Sequence, residues 1–92
     1  MNIRQLEYFT GTVEQKGFTK ASEHLFVSQP SISKAICSLE NEFNVQLINR
    51  KSSAFQLTPA GIIFYESAKR ILDDYNKEID NLHRLFLTEK GA

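Results

Sequence analysis

The stretch FTKASEHLFVSQPSISKAICSLENEF, residues 18–43, decides the fold. It reads as two short helices joined by a tight turn. Thr19 is placed to cap the first, which runs through about Phe26 with Ala21 and Leu25 inward at a spacing of four. Val27 and Ser28 form the turn. The Ser28 hydroxyl can accept from backbone N–H groups one turn into the second helix, and Pro30 falls in the first turn, where a missing N–H costs nothing. The inward stripe of that helix is Ile32, Ile36, Leu39 and Phe43. At about 100° per residue the opposite face holds Pro30, Lys34, Cys37 and Asn41, with Ser31, Ser33 and Ser38 at its flanks. Asn44 ends the helix in a left-handed cap. Small polar and basic side chains on the outward face of a second helix are what a helix-turn-helix presents to the DNA major groove.

Working outward, residues 2–16 place Ile3, Leu6, Phe9 and Val13 on one helical face, and Gly17 supplies the left-handed residue that stops this helix. Beyond Asn44, Leu47 to Arg50 and Phe55 to Thr58 are expected to be the two short strands of a β-wing around the polar tip Lys51 to Ala54. Thr58 followed by Pro59 is a strong helix start. From there Tyr65, Ala68, Leu72, Tyr75, Ile79, Leu82 and Phe86 alternate spacings of three and four, the seam of a coiled coil, and Ile71 and Leu85 widen it. A helix from Pro59 to Thr88 is about 45 Å long, more than so small a domain covers, so a second copy of the chain is the economical partner. The expected architecture is mainly α: a winged helix-turn-helix of three helices and a two-stranded wing over 1–58, a dimerisation helix over 59–88, and a tail at 89–92.

Composition narrows the functions. Ninety-two residues hold one core, and 41% hydrophobic with 24% charged content places the chain among ordered domains. No apolar run crosses a bilayer and no export signal opens the chain, so a cytoplasmic protein with no membrane partner is expected. The single cysteine, Cys37, excludes an internal disulfide, and with only His24 and His83 beside it there is no metal-ligand spacing and no cofactor motif. No nucleophile, base and orienting group share a motif, so no enzyme is expected. The net charge of zero argues against bulk electrostatic binding of nucleic acid, but Lys16, Lys20, Lys34, Arg50 and Lys51 concentrate positive charge in the half that carries the helix-turn-helix.

The motifs FTKAS, VSQPSISK and LE, preceded by MNIRQLEYF and followed by LINR and LTPAG, closely resemble the N-terminal winged helix-turn-helix of LysR-type transcriptional regulators over nearly the whole chain. The resemblance implies a bacterial regulator that binds an interrupted inverted repeat in double-stranded promoter DNA as a homodimer, through antiparallel packing of its linker helices. It also implies an effector-binding domain that this chain does not include, a tetramer in a full-length form, and RNA polymerase as a further partner. Carried over by position, the base and phosphate contacts fall on Gln29, Pro30, Ser33 and Lys34, with Thr19 and Ser28 near phosphates and Arg50 in the wing. Ser31 and Lys51 complete the expected surface. Lys34 stands where arginine is usual and lacks the planar fork that grips guanine. Ser22 stands for a usual alanine, and Asn44 for a usual glycine.

Each reading has a plainer rival. Polar residues in a first turn also simply cap and solubilise a helix, and Arg50 and Lys51 also suit a solvated hairpin. Cys37 reads as a tolerated small residue beside the DNA rather than a redox sensor. Phe9, Phe18, Phe26 and Phe43 read as core, and His24 as surface. The alternative for the whole chain is a coiled-coil protein-interaction module without specific DNA binding.

Overall fold

Asn2 opens the first helix with both halves of a capping box: its side chain accepts from Gln5 N at 2.8 Å, and Gln5 Oε1 accepts from Asn2 N at 3.2 Å. In the computed structural model, which describes the backbone of residues 1–91 and the side chains of residues 1–86, four helices follow: α1 (Ile3–Gln15), α2 (Phe18–Leu25), α3 (Gln29–Phe43) and α4 (Pro59–Gly91). The core joins Phe9 of α1, Ala21 of α2, and Ile32, Ile36 and Leu39 of α3 to Leu47 and Ile48. The helical members of this core are inward positions that helical spacing marks. The buried hydroxyls of Thr10 and Thr12 donate back to the carbonyls of Leu6 and Tyr8, so neither is left unpaired.

Two caps differ from expectation. The left-handed residue after α1 is Lys16, at φ 60°, and Gly17 is extended. With only these two residues between the helices, Gly17 is already the N-cap of α2, so the reversal comes one residue earlier. Thr19 therefore lies inside the first turn of α2 rather than capping it. Asn44 takes the left-handed conformation expected of it, at φ 54°. Phe26 does so as well, at φ 58°, and this throws its ring outward: it is 93% exposed, where the sequence pattern places it in the core. Phe43 is also partly exposed, because Phe64 of α4 takes the inner position, with ring centroids 5.3 Å from both Phe9 and Phe43.

The two-stranded wing is reduced to a single antiparallel bridge between Ile48 and Leu57. Asn49 N donates to Gln56 O at 2.8 Å and Thr58 N to Leu47 O at 3.1 Å, and among the described residues no strand extends beyond this. The reason is local. The Leu47 N–H, which a longer ladder would pair with the returning leg, is taken by the Glu40 carboxylate, which also binds Ile48 N, and the tip Lys51 to Ala54 lacks the residues of a tight hairpin turn. Phe55 rests edge-on against Phe18 at 6.3 Å, which ties the returning leg to the start of α2.

Thr58 caps α4: its hydroxyl accepts from Gly61 N at 3.0 Å and donates to Gln46 O. Gly61 is required here, since a Cβ at this position would lie 2.1 Å from Leu47 O. The helix continues past Thr88 to Gly91, so the first part of the expected tail is helical, and Ala92 lies outside the described residues. Its first turns pack on α1, where Glu14 Oε2 accepts from Tyr65 OH at 2.8 Å and pairs with Lys69 Nζ at 3.1 Å. The rest projects, giving the molecule a long axis of 58 Å against 25 and 18 Å across. Among the described residues no helix is long and apolar enough to cross a membrane.

Candidate nucleic-acid interface

Ser28 sets the start of α3 by accepting from Ser31 N at 3.2 Å, and its hydroxyl meets that of Ser31 at 2.8 Å. Pro30 follows in the first turn. Of the expected surface residues, Thr19, Ser28, Gln29, Pro30, Ser31, Ser33 and Lys34 are all exposed, at the start of α2 and from the turn into the first part of α3. Gln29 Nε2 donates to Thr19 Oγ1 at 3.1 Å, a bond that crosses the helix-turn-helix and restrains the glutamine side chain. The Gln29 carbonyl oxygen and its second N–H stay outward, the donor and acceptor pair that matches adenine in the major groove. Among the described residues Lys34 has no ion-pair partner, so its charge is free for a phosphate or a base. Asn41 and Cys37 continue the exposed face of α3, and His24 is exposed on α2.

Arg50 and Lys51 divide. Lys51 is exposed at the tip, and its backbone N–H donates to Asn49 Oδ1 at 3.1 Å. Arg50 is tied back to α3: Nη2 donates to Glu40 Oε1 at 2.6 Å and lies 3.8 Å from Cys37 Sγ. Glu40 is the residue that sequence reading passes over as one acid among several. Its other oxygen accepts from Leu47 N at 2.8 Å and Ile48 N at 3.3 Å, so one carboxylate holds the base of the wing and its arginine together. Its position seven residues after Ser33, on the side of α3 that carries Gln29 and Ser33, is the only trace of this in the sequence.

The seam residues on α4 also divide. Ala68 is fully buried and Tyr65 is half-buried with its hydroxyl on Glu14, so both are used within the chain. They share a face with the later seam residues, and on that face α1 covers only the first turns of α4. Leu72 and Ile79 are half-buried, while Tyr75, Leu82 and Phe86 are exposed, as are Ile71 and Leu85. Lys69 pairs with Glu14 across helices.

This arrangement defines a helix-turn-helix domain with an abbreviated wing and a projecting C-terminal helix. The family model for bacterial regulatory helix-turn-helix proteins of the lysR family matches residues 3–62, and the chain belongs to that family. It is 37% identical over 90 residues to the HTH-type transcriptional regulator BenM of Acinetobacter baylyi, covering 98% of this chain and 30% of BenM. It is 46% identical over 72 residues to the HTH-type transcriptional regulator CysL of Bacillus subtilis, covering 78% of this chain and 24% of CysL. The chain therefore spans less than a third of the length of these curated relatives. Among solved structures it resembles the BenM DNA-binding domain in complex with catB site 1 DNA, with a TM-score of 0.88 and 36% identity over 92% of this chain and 96% of that one. It also resembles Vibrio fischeri DarR in complex with DNA, with a TM-score of 0.86 and 30% identity over 92% of this chain and 29% of that one.

Proposed function

We propose that this chain is the operator-reading part of a bacterial LysR-type transcriptional regulator, in which residues 1–58 read one half of an interrupted inverted repeat in promoter DNA and residues 59–88 join two copies. The observation that carries the reading is the Gln29–Thr19 bond. It holds an otherwise mobile amide at the N-terminal end of an exposed helix, beside Ser33 and Lys34, where direct base readout needs it. Thr19, Ser28 and Ser31 supply phosphate contacts, Pro30 packs against the groove wall, and Lys51 reaches the backbone from the wing tip. The exposed Tyr75, Leu82 and Phe86, with Leu72 and Ile79, form the dimer seam. Tyr65 and Ala68 serve it indirectly by fixing the helix to α1.

The similarity to proteins solved with DNA favours this reading over a coiled-coil interaction module. The protein acts in the bacterial cytoplasm, and in a longer chain tetramer formation and contact with RNA polymerase belong to the same reading. The test is selection from a randomised duplex pool, followed by titration of the selected and a scrambled duplex at two ionic strengths. The expected result is a two-fold-related pair of half-sites bound far more tightly than the scrambled duplex. No preference at either ionic strength would sink the proposal, because sequence-blind phosphate binding depends on salt but not on base order.

A further inference from the structure

Glu40 makes more contacts across the domain than any role assigned above requires. It is only 11% exposed, while the arginine it pairs with is 41% exposed. Its two oxygens reach three groups on the wing leg: Leu47 N, Ile48 N and the Arg50 guanidinium. Arg50 in turn lies against Cys37, one turn beyond Ser33 and Lys34 on α3. The guanidinium therefore extends the row that Gln29 and Ser33 begin, with Nη2 held between Glu40 and Cys37 and the side chain exposed.

We propose that Glu40 is a positioning residue for DNA recognition, which turns Arg50 from a free cation into an oriented contact. The inference rests on the DNA reading proposed above. A lone arginine at the rim of an interface is drawn to any phosphate, and it strengthens selected and random DNA alike. Paired with Glu40, Arg50 adds almost no net charge, so it contributes little to long-range attraction. Its guanidinium, held along α3 through Nη2, can then be satisfied only where the duplex presents an acceptor to its remaining N–H groups. Glu40 thus trades sequence-blind affinity for discrimination. The anchoring to Leu47 and Ile48 makes this rigid, because the carboxylate cannot swing away with the arginine without releasing two backbone N–H groups.

The test compares the selected duplex with a scrambled one across a salt series, for the unaltered chain, Glu40→Gln and Arg50→Gln. Glutamine at position 40 keeps a carbonyl oxygen for Leu47 N but removes the charge. The expected result is tighter binding to the scrambled duplex, a salt dependence steeper by about 0.9 in log–log slope, and a selected-to-scrambled ratio lower by about tenfold. Arg50→Gln leaves the Glu40 bonds to the wing backbone in place and so guards against misfolding of the first variant. It is expected to flatten the salt slope by about 0.9 and weaken both duplexes, because it leaves the Glu40 charge uncompensated, with the selected duplex losing about tenfold more than the scrambled one. Equal losses on both duplexes with a flatter slope, or no loss on either, would overturn the inference, as would a Glu40→Gln protein with unaltered slope and ratio. If the unaltered chain itself fails to discriminate, the DNA reading falls and takes this inference with it.

Discussion

Gln29 donates one amide N–H to Thr19 and keeps the rest of its amide outward, so two single substitutions separate recognition from orientation. Gln29→Ala is expected to relax discrimination at one base pair per half-site by about 1–3 kcal/mol, measured by competition among single-base variants of the selected duplex. Thr19→Val removes only the restraint, and a smaller loss at that same base pair is expected. A uniform loss at every base pair from either change would make Gln29 a backbone contact. Phe26 raises a different question, because a bulky side chain in the left-handed region is strained and this ring is almost wholly exposed. Phe26→Gly is expected to raise stability by about 0.5–1 kcal/mol, the released strain exceeding the entropy glycine adds to the unfolded chain. An unchanged or lower urea midpoint would show that the ring stabilises the turn.

Between elements, the junction of wing and α4 leaves no room for a side chain at Gly61. Gly61→Ala would place a methyl group against the Leu47 carbonyl, a backbone atom that itself accepts from Thr58 N, so neither side can yield cheaply. A loss of about 1–3 kcal/mol in unfolding free energy is expected in chemical denaturation. The α1–α4 contact gives a pH dependence. The Tyr65 hydroxyl titrates above its ordinary 10.0, first because it is partly buried and then because it donates to Glu14. Lys69 titrates above 10.5, chiefly through its hydrogen bond to the same carboxylate. Both groups hold their protons more tightly in the folded state, so the stabilisation is complete below their unfolded values and is lost as pH rises through the raised folded ones. Thermal midpoints should fall from about pH 10 upward, and Tyr65→Phe should make that fall shallower. Identical alkaline profiles for the two proteins would remove Tyr65 from the account.

At the scale of the whole molecule, a helix of 33 residues leaves the domain with Leu82, Leu85 and Phe86 more than half exposed. Leu82→Asp is the cleanest probe of the seam, because Leu82 touches little within the chain, whereas Leu72 is half-buried and its replacement would also disturb the monomer. The expected outcome is a monomer mass in sedimentation equilibrium with an unchanged helical spectrum, together with loss of cooperative binding to paired half-sites. A dimer mass that survives the substitution would place the contact elsewhere on the chain.

The helices were legible in the sequence because their signals are local. Apolar spacing marks Leu6, Phe9, Ile32, Ile36 and Leu39, and caps such as Ser28 and Thr58 act within four residues of themselves. The exposed polar row from Thr19 to Lys34 was legible for the same reason, since outward positions follow once inward ones are known. What only the tertiary structure decided involves groups distant in sequence. Phe64 displaces Phe43 from the core, and Glu14 takes up Tyr65 from the expected seam and pairs with Lys69. Glu40 takes the Leu47 N–H that a longer wing ladder would have used, and it claims Arg50. Periodicity states which way a side chain points along its own helix. Which carboxylate reaches which donor depends on how the elements cross, and that depends on packing.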